Sequence, residues 1–300
     1  MLDVQKSEHG PIHLVDRVPD SWEGLWVAEV DASRRSSIAK NHTATHLLNG
    51  ALDQVLGTHT DQKGSYLDDE YLRFDFSHYS ALKEEELNAL ELMVNQKIQE
   101  NLPLEEARDI PIDEAKKMGA KMMFGEKYGE RVRVISFGGD YSREFCGGTH
   151  VPATGEIGYF RILSESSVAS GVRRIEAVSG PKADALVRSE KNELKAIREA
   201  IGSTGNLLEA VKSLVEERKS LQKELEALKK EQGKASMNQV IEQKQFLANG
   251  IELIVGEVSG DMPALKEMGY DILNRFKQNT VCVLGAKDEE AGKVYLMATV

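Results

Sequence analysis

The sequence predicts an α+β protein: a body of mixed sheet and helices, a long helical segment, and a small α/β unit. Three observations predict it. Helical periodicity and period-two alternation both occur before Gly180, so strands and helices share one region. Beyond Gly180, glycine and aromatic residues thin out and Glu, Lys, Leu and Ala take over in helical runs. From about Phe246 the pattern returns to strand, helix, strand, strand. The expected divisions are therefore 1–180, 181–245 and 246–300, with 1–30 forming the edge of a β-rich part.

Taken in order, Ile12 to Val15 and Leu25 to Val30 are short apolar stretches separated by a polar, Pro-containing turn, which suits a pair of strands. Asp31 stands where an N-cap belongs, ahead of a helical pattern through Ile38, Ala44, Leu47, Leu48, Ala51, Leu52 and Val55 that closes at Gly57. After Gly64 a hairpin is expected, in which Leu72, Phe74 and Phe76 share one sheet face and Arg73 and Asp75 the other. A charged helix follows from about Ser80 to Leu102. Strands are expected over Val132 to Phe137 and Ile157 to Leu163, bracketing SREFCGGTH, and over Val172 to Val178.

In the helical segment, Leu207, Leu214, Leu221 and Leu228 recur every seven residues, and Val211, Arg218 and Leu225 fill the alternate seam position. This is a coiled-coil pattern broken once by a charge, and Gly233 is expected to end it. It pairs either with a second chain or with the helix from Pro181 to Ile201, and the sequence does not choose. The final unit reads as Ile251 to Val258, Pro263 to Lys277, Thr280 to Gly285 and Val294 to Val300. An apolar closing strand, YLMATV, would leave an unprotected sheet edge, so the last unit reads as incomplete and the chain as a piece of a longer protein.

With 41% hydrophobic and 29% charged residues the chain can bury substantial cores. Its net charge of −11 disfavours sequence-blind attachment to nucleic acid, which depends on many phosphate-neutralising contacts, so an RNA partner would be held locally. No apolar run approaches the roughly 18 residues that span a bilayer, and the polar start MLDVQKSEHG has no signal-peptide pattern, so a cytoplasmic location without a membrane partner is expected. The two cysteines, Cys146 and Cys282, are too far apart and too differently placed to suggest a disulfide framework. Cys282, between Val281 and Val283, is expected to be a buried strand residue.

His42 and His46 stand four apart on the first helix, so both imidazoles project from one face. Cys146 and His150 have the same spacing around Gly147 and Gly148, whose backbones can fold tightly enough to aim both side chains inward. A thiolate and three imidazoles form a ligand set suited to tetrahedral Zn2+ rather than to magnesium or calcium. His9, His13, His59, His78 and Cys282 show no comparable pairing. Arg173 and Arg174 invite comparison with a phosphate clamp. Neighbours on a strand face opposite ways, however, and Arg174 shares a face with Glu176, so a structural ion pair is the alternative.

NHTATHLL at Asn41 to Leu48, QKGSYLDDEYLRFDFSH from Gln62 to His78, FGEKYGERVRVI from Phe124 to Ile135, and CGGTH at Cys146 to His150 resemble the editing domain of bacterial alanyl-tRNA synthetase. GVRRIEAVSG, from Gly171 to Gly180, resembles the strand that ends that domain, and the tail resembles the C-terminal helical and globular region of the same enzyme.

The resemblance implies an aminoacyl-tRNA deacylase. It would hydrolyse the ester of tRNA(Ala) charged with Ser or Gly and spare the alanyl ester, and it would work with an ATP-dependent aminoacylation domain that this sequence lacks. A pocket shaped for alanine rejects glycine and serine only modestly, so a second, hydrolytic site is needed.

The resemblance also makes His42, His46, Cys146 and His150 the zinc ligands and gives Gln62 a place in the pocket. Thr43 and Thr45, beside the ligands, are further candidates for hydrogen bonding to substrate or water, with a supporting role as the alternative. Four protein ligands describe a closed site, whereas catalytic zinc keeps an open position, so the ion either admits water or only orders and polarises. The family favours a homodimer through the helical tail. The competing readings are a free-standing deacylase acting in trans and a non-catalytic, zinc-stabilised module for tRNA binding and dimerisation. A phosphoesterase would need acidic metal clusters, which are not seen in the sequence.

Overall fold

The computed structural model describes residues 3–8, 10–18, 21, 23–25, 27, 29–123, 127–248, 250–276, 279–288 and 292–300. Two compact units divide the chain, Met1–Asn192 and Glu193–Val300. The fold is α+β: helices pack on sheets that are antiparallel except for one strand pair in the second unit.

The first unit opens with a hairpin of β1 (Asp3–Ser7) and β2 (Gly10–Leu14), in which Ile12 pairs with Gln5. The expected strand at Leu25 to Val30 does not form: its described residues carry no strand, and Leu25 and Val27 are among the most exposed apolar side chains. The stretch before Gly10 lies close enough to pair through a tight turn, so it takes the place of the more distant segment.

Helix α1 (Ala32–Val55) starts as expected, with the Asp31 carboxylate accepting from the Arg34 amide at 2.9 Å, and the chain leaves it through Gly57 at φ 105°. Strands β3 (Gln62–Leu67) and β4 (Leu72–Ser77) form the hairpin, and Leu72, Phe74 and Phe76 are fully buried. Helix α2 covers Glu84–Gln99, shorter than expected, because Glu86 accepts from the Lys83 amide and fixes the start there.

Strand β5 (Leu104–Pro111) and the short helix α3 (Ile112–Lys117) were not foreseen. β5 pairs with β6 (Arg131–Phe137), and β6 with β7 (Ser142–Phe145), giving a three-stranded antiparallel sheet. β6 is buried on both faces: Ile135 and Phe137 join the main core, while Val132 and Val134 join a small cluster with Ala115 and Phe145. Strand β8 covers Phe160–Ala169 rather than starting at Ile157, which belongs to a 3-10 turn. Gly158, at φ 86°, turns the chain between the two. β9 (Val172–Ser179) completes a second sheet of order β3-β4-β9-β8.

The main core lies between this four-stranded sheet and the two long helices. Leu47, Leu48, Ala51 and Leu52 of α1 and Leu90, Val94 and Ile98 of α2 pack on Leu72, Phe74, Phe76 and Ile175. At about 25 cal/mol for each Å² of apolar surface removed from water, each of these leucine, isoleucine, valine and phenylalanine side chains contributes about 1.5–3 kcal/mol. α1 also touches β7, so one helix meets both sheets. That position decides where the histidines go. Asn41 pins the helix to the sheet, donating to the Asp68 carbonyl at 2.8 Å and accepting from the Ser179 hydroxyl at 2.7 Å.

Helix α4 (Pro181–Ile201) crosses the division between the units, and α5 (Leu207–Glu242) is capped by Asn206, whose side chain accepts from the amides of Leu208 and Glu209. α5 does not end at Gly233. A Cβ there would stand 2.5 Å from the Met268 methyl, so this glycine is a close-packing position inside the helix. The heptad side chains Leu214, Leu221, Leu225 and Leu228 are exposed.

Beyond α5, β10 (Gln245–Phe246), β11 (Glu252–Glu257), β12 (Thr280–Asp288) and β13 (Lys293–Thr299) form a sheet in chain order, with β11 and β12 parallel. Helix α6 (Met262–Arg275) connects the parallel pair, as the alternation of patterns implies. Residue 277, the expected end of that helix, lies outside the described residues. Cys282 is buried on β12 among Met237, Val240, Ile254, Leu265 and Ile272.

Candidate metal centre and cavity

Burial of α1 from Ala39 onward leaves the helix little freedom to rotate, so the face carrying His42 and His46 is fixed by the packing of its neighbours. Cys146 and His150 arrive from another element, the glycine-rich loop that follows β7. The two pairs meet: one nitrogen or sulfur atom from each of His42, His46, Cys146 and His150 lies within 4.8 Å of all the others. Cys146 Sγ is 3.3 Å from Nε2 of His42 and 3.3 Å from Nε2 of His150. The Gly148 amide points at the same sulfur, 3.4 Å away. Among the described residues no other group of three or more potential ligands comes together.

Burial withdraws water from all three imidazoles and disfavours their charged forms. For His42 burial dominates and the Arg133 charge adds to it, against a backbone hydrogen bond to Thr149, giving a value of about 4. His150 falls to about 3 through burial, then the charges of His42 and Arg133. His46 is lowered as well, by burial first and by His150, His42 and Arg133 after it. At neutral pH the cluster therefore offers unprotonated nitrogens beside a sulfur, and such a donor set could hold a divalent metal.

His42, His46 and Cys146 of the cluster line a cavity of about 750 Å³. Gln62, at the start of β3, lines it and donates from Nε2 to the Ser65 hydroxyl at 3.1 Å and toward Met123 Sδ at 3.3 Å. Thr45 also lines it, and its hydroxyl donates to the Asn41 carbonyl one turn back at 2.8 Å. Thr43 is placed differently. It is fully buried behind the ligands, accepting from the Val151 amide at 3.2 Å, and its Oγ1 is 3.1 Å from Nδ1 of His150.

Neither Arg173 nor Arg174 lines the cavity. Arg174 is bidentate on Asp75, at 2.7 and 2.8 Å, and not paired with Glu176 as its spacing suggests. The register explains this, because β9 runs beside β4 with Arg174 directly opposite Asp75. Arg173 binds Glu165 of β8 through two contacts, one of them 2.6 Å. His59 and His78 also come together, Nε2 to Nδ1 at 3.1 Å, because the β3–β4 hairpin brings the residues flanking its two ends side by side. His9 lies outside the described residues, as does part of the FGEKYGERVRVI segment, residues 124–126.

Sequence reasoning missed two charged residues at the site. Arg133 of β6 donates from Nη1 to the carbonyls of Gly148 at 2.6 Å and Cys146 at 3.0 Å, and its Nε contacts Glu106. Glu144 of β7 is buried on the cavity wall, 3.8 Å from Nδ1 of His46. Burial pushes its carboxyl up to about 7, against a hydrogen bond from Asn49 and the charge of Lys121. The available signals were position and spacing. Arg133 interrupts an apolar strand run, and Glu144 stands two residues before Cys146, the spacing of side chains on one strand face.

Residues 132–176 match the Threonyl and Alanyl tRNA synthetase second additional domain. That stretch includes Arg133, Glu144, Cys146 and His150, and the histidines of α1 precede it. The chain is 44% identical to the alanine–tRNA ligase of Salinibacter ruber, with 100% of this chain and 31% of that one covered. It is 42% identical to that of Cytophaga hutchinsonii, covering 99% of this chain and 34% of the relative, and 39% identical to that of Parabacteroides distasonis, with the same shares. The chain spans about a third of the length of these relatives. No helix among the described residues is long and apolar enough to cross a membrane. Over essentially its whole length, the chain is thus similar to the corresponding third of alanine–tRNA ligases, at 39–44% identity.

Proposed function

We propose that this chain is an aminoacyl-tRNA deacylase that hydrolyses the ester of tRNA(Ala) charged with serine or glycine, using a zinc ion held by His42, His46, Cys146 and His150. The observation that carries this reading is the convergence of those four side chains, three of which (His42, His46 and Cys146) line a cavity large enough for an aminoacylated acceptor end. The fit of zinc rests on the donors themselves: three neutral imidazoles and a thiol, with Gly148 N–H directed at the sulfur. Bound there, zinc would polarise the ester carbonyl or lower the pKa of a water.

The remaining chemistry belongs to the chain. Thr45 spends its proton on Asn41 and keeps its oxygen lone pairs for the cavity, so it is an acceptor for a serine hydroxyl or a substrate amine. Gln62 engages its amide nitrogen on Ser65 and Met123, which leaves Oε1 as its acceptor. Thr43 orients His150 from behind, the supporting role suggested for residues beside the ligands.

In the whole enzyme we infer that this deacylase acts beside an ATP-dependent aminoacylation domain, a reading supported by relatives that are ligases about three times as long. The exposed heptad positions of α5 support a homodimer formed through that helix.

The test is incubation of the purified chain with Ser-, Gly- and Ala-tRNA(Ala), with Cys146→Ala as control. Selective loss of the seryl and glycyl esters, abolished by the substitution, is expected. Equal persistence of all three esters would remove the assignment in favour of a non-catalytic module.

A further inference from the structure

We propose that Glu144 is a positioning residue for the metal centre: its buried carboxyl accepts a hydrogen bond from the Nδ1–H of His46, fixing that ring's tautomer and orientation so that Nε2 is presented to the ion. The proposal rests on the metal-binding reading above and adds a residue that the ligand set does not include.

The argument starts from a polar atom without a partner. Nδ1 of His46 is buried and makes no hydrogen bond. A buried N–H left unpaired is costly, and a neutral imidazole must place its proton on one of its two nitrogens. If the proton sat on Nε2, Nδ1 would be a buried acceptor without a donor and Nε2 would be blocked as a ligand. With the proton on Nδ1, the ring needs an acceptor on that side, and the Glu144 carboxyl is 3.8 Å away. That separation is longer than a formed hydrogen bond, and a shift of roughly 1 Å closes it.

Glu144 is held for the task. It is buried, with the Ser142 hydroxyl 3.4 Å from its Oε1 and the Asn49 side chain hydrogen-bonded to it. The other two histidines are already provided for. His150 has Thr43 at its Nδ1, and His42 has a backbone hydrogen bond to Thr149. His46 is the one ring in the cluster whose outer nitrogen has no partner at bonding distance, and a carboxyl faces it. A metal-ligating histidine commonly donates its second N–H to such a group, and loss of that group typically weakens metal binding 10–100-fold.

The test uses the full chain, stripped of metal and titrated with Co2+, with affinity and visible absorption as readouts for the wild type and for Glu144→Gln, Glu144→Asp and Glu144→Ala. Glutamine keeps an acceptor oxygen at the same reach, whereas aspartate keeps the charge and withdraws it. The expected result is Co2+ affinity lowered about 10–100-fold and an altered absorption band for Asp and Ala. Gln is expected to stay within about threefold of wild type, because it retains the acceptor. Should Ala fail to fold, the comparison of Gln with Asp carries the same information. Equal affinities in all variants, or a Gln variant as impaired as the Asp variant, would overturn the proposal. Absence of Co2+ binding in the wild type would instead overturn the metal-binding reading, and this inference with it.

Discussion

Arg133 donates from Nη1 to the carbonyl oxygen of Gly148 at 2.6 Å, and the same nitrogen reaches the Cys146 carbonyl at 3.0 Å. One guanidinium on β6 therefore holds the backbone of the loop that presents two of the four candidate ligands. Replacing Arg133 with Met leaves both carbonyls without this donor, at a cost of about 1–3 kcal/mol for each carbonyl that stays buried. Arg133→Met is expected to lower stability by about 2 kcal/mol and to weaken metal binding. Arg133→Lys should restore only part of either, because a single ammonium cannot reproduce the fork. Thermal melts with and without metal check this, and full recovery by lysine would show that charge alone suffices.

The two glycines of the same loop, assigned one role by their sequence position, are not equivalent. A Cβ on Gly148 would stand 2.0 Å from Cε1 and 2.4 Å from Nδ1 of His42, whereas a Cβ on Gly147 meets nothing within 4 Å. Gly148→Ala must therefore displace the His42 ring and should reduce metal affinity by at least about tenfold, the scale of a lost or misdirected interaction of about 1.4 kcal/mol. Gly147→Ala should bind metal as the wild type does. A chelator-competition assay on both variants separates them, and equal affinities would mean that the loop relaxes away from His42.

Legibility followed residue type. The histidine pair on α1, the Cys146–His150 pair and the alternation of Leu72, Phe74 and Phe76 could be read because period and chemistry coincide in each. β5 could not, since LEEARDIP carries more charge than alternation and is held by its pairing with β6 rather than by its own pattern. β7 is four residues of mixed character. Arg133 and Glu144 were passed over because isolated charges in strands are usually solvated, and only tertiary contact shows these two turned inward. Gly233 misled for a related reason: a glycine that ends helices in isolation here makes room for Met268.

Acid should destabilise the metal-free protein. His42 and His150 have folded-state values near 4 and 3 against 6.5 when unfolded, and His46 is shifted the same way. Between about pH 6.5 and 4 the unfolded chain binds protons that the folded chain does not, so stability falls as pH falls through that window. Glu144 acts in the opposite sense. Its value is raised from 4.5 to about 7, so the folded chain gains its proton first and is favoured as pH drops through 7 toward 4.5. Three imidazoles outweigh one carboxyl, and the melting temperature of chelator-treated protein should drop between pH 6.5 and 4.5. A flat or rising profile would show that the rings are not buried as neutral groups.

Asp75 and Arg174 supply a test of what the second arginine does. Their side chains are 13% and 24% exposed and meet in a bidentate pair across β4 and β9. A fully buried pair broken on one side costs about 3–5 kcal/mol and an exposed one less than about 1, so this pair should cost about 2. If Arg174 serves the sheet, Asp75→Ala and Arg174→Ala each lose that amount, and the double variant loses little more than either alone. The sheet also carries Gln62, which pairs with Phe76 on the strand next to β9, so both single variants should lower deacylation together. A phosphate contact predicts another pattern. Arg174→Ala would weaken tRNA binding and flatten its salt dependence, while Asp75→Ala would not. Urea melts of the four proteins, read beside tRNA binding at two salt concentrations, decide between the two.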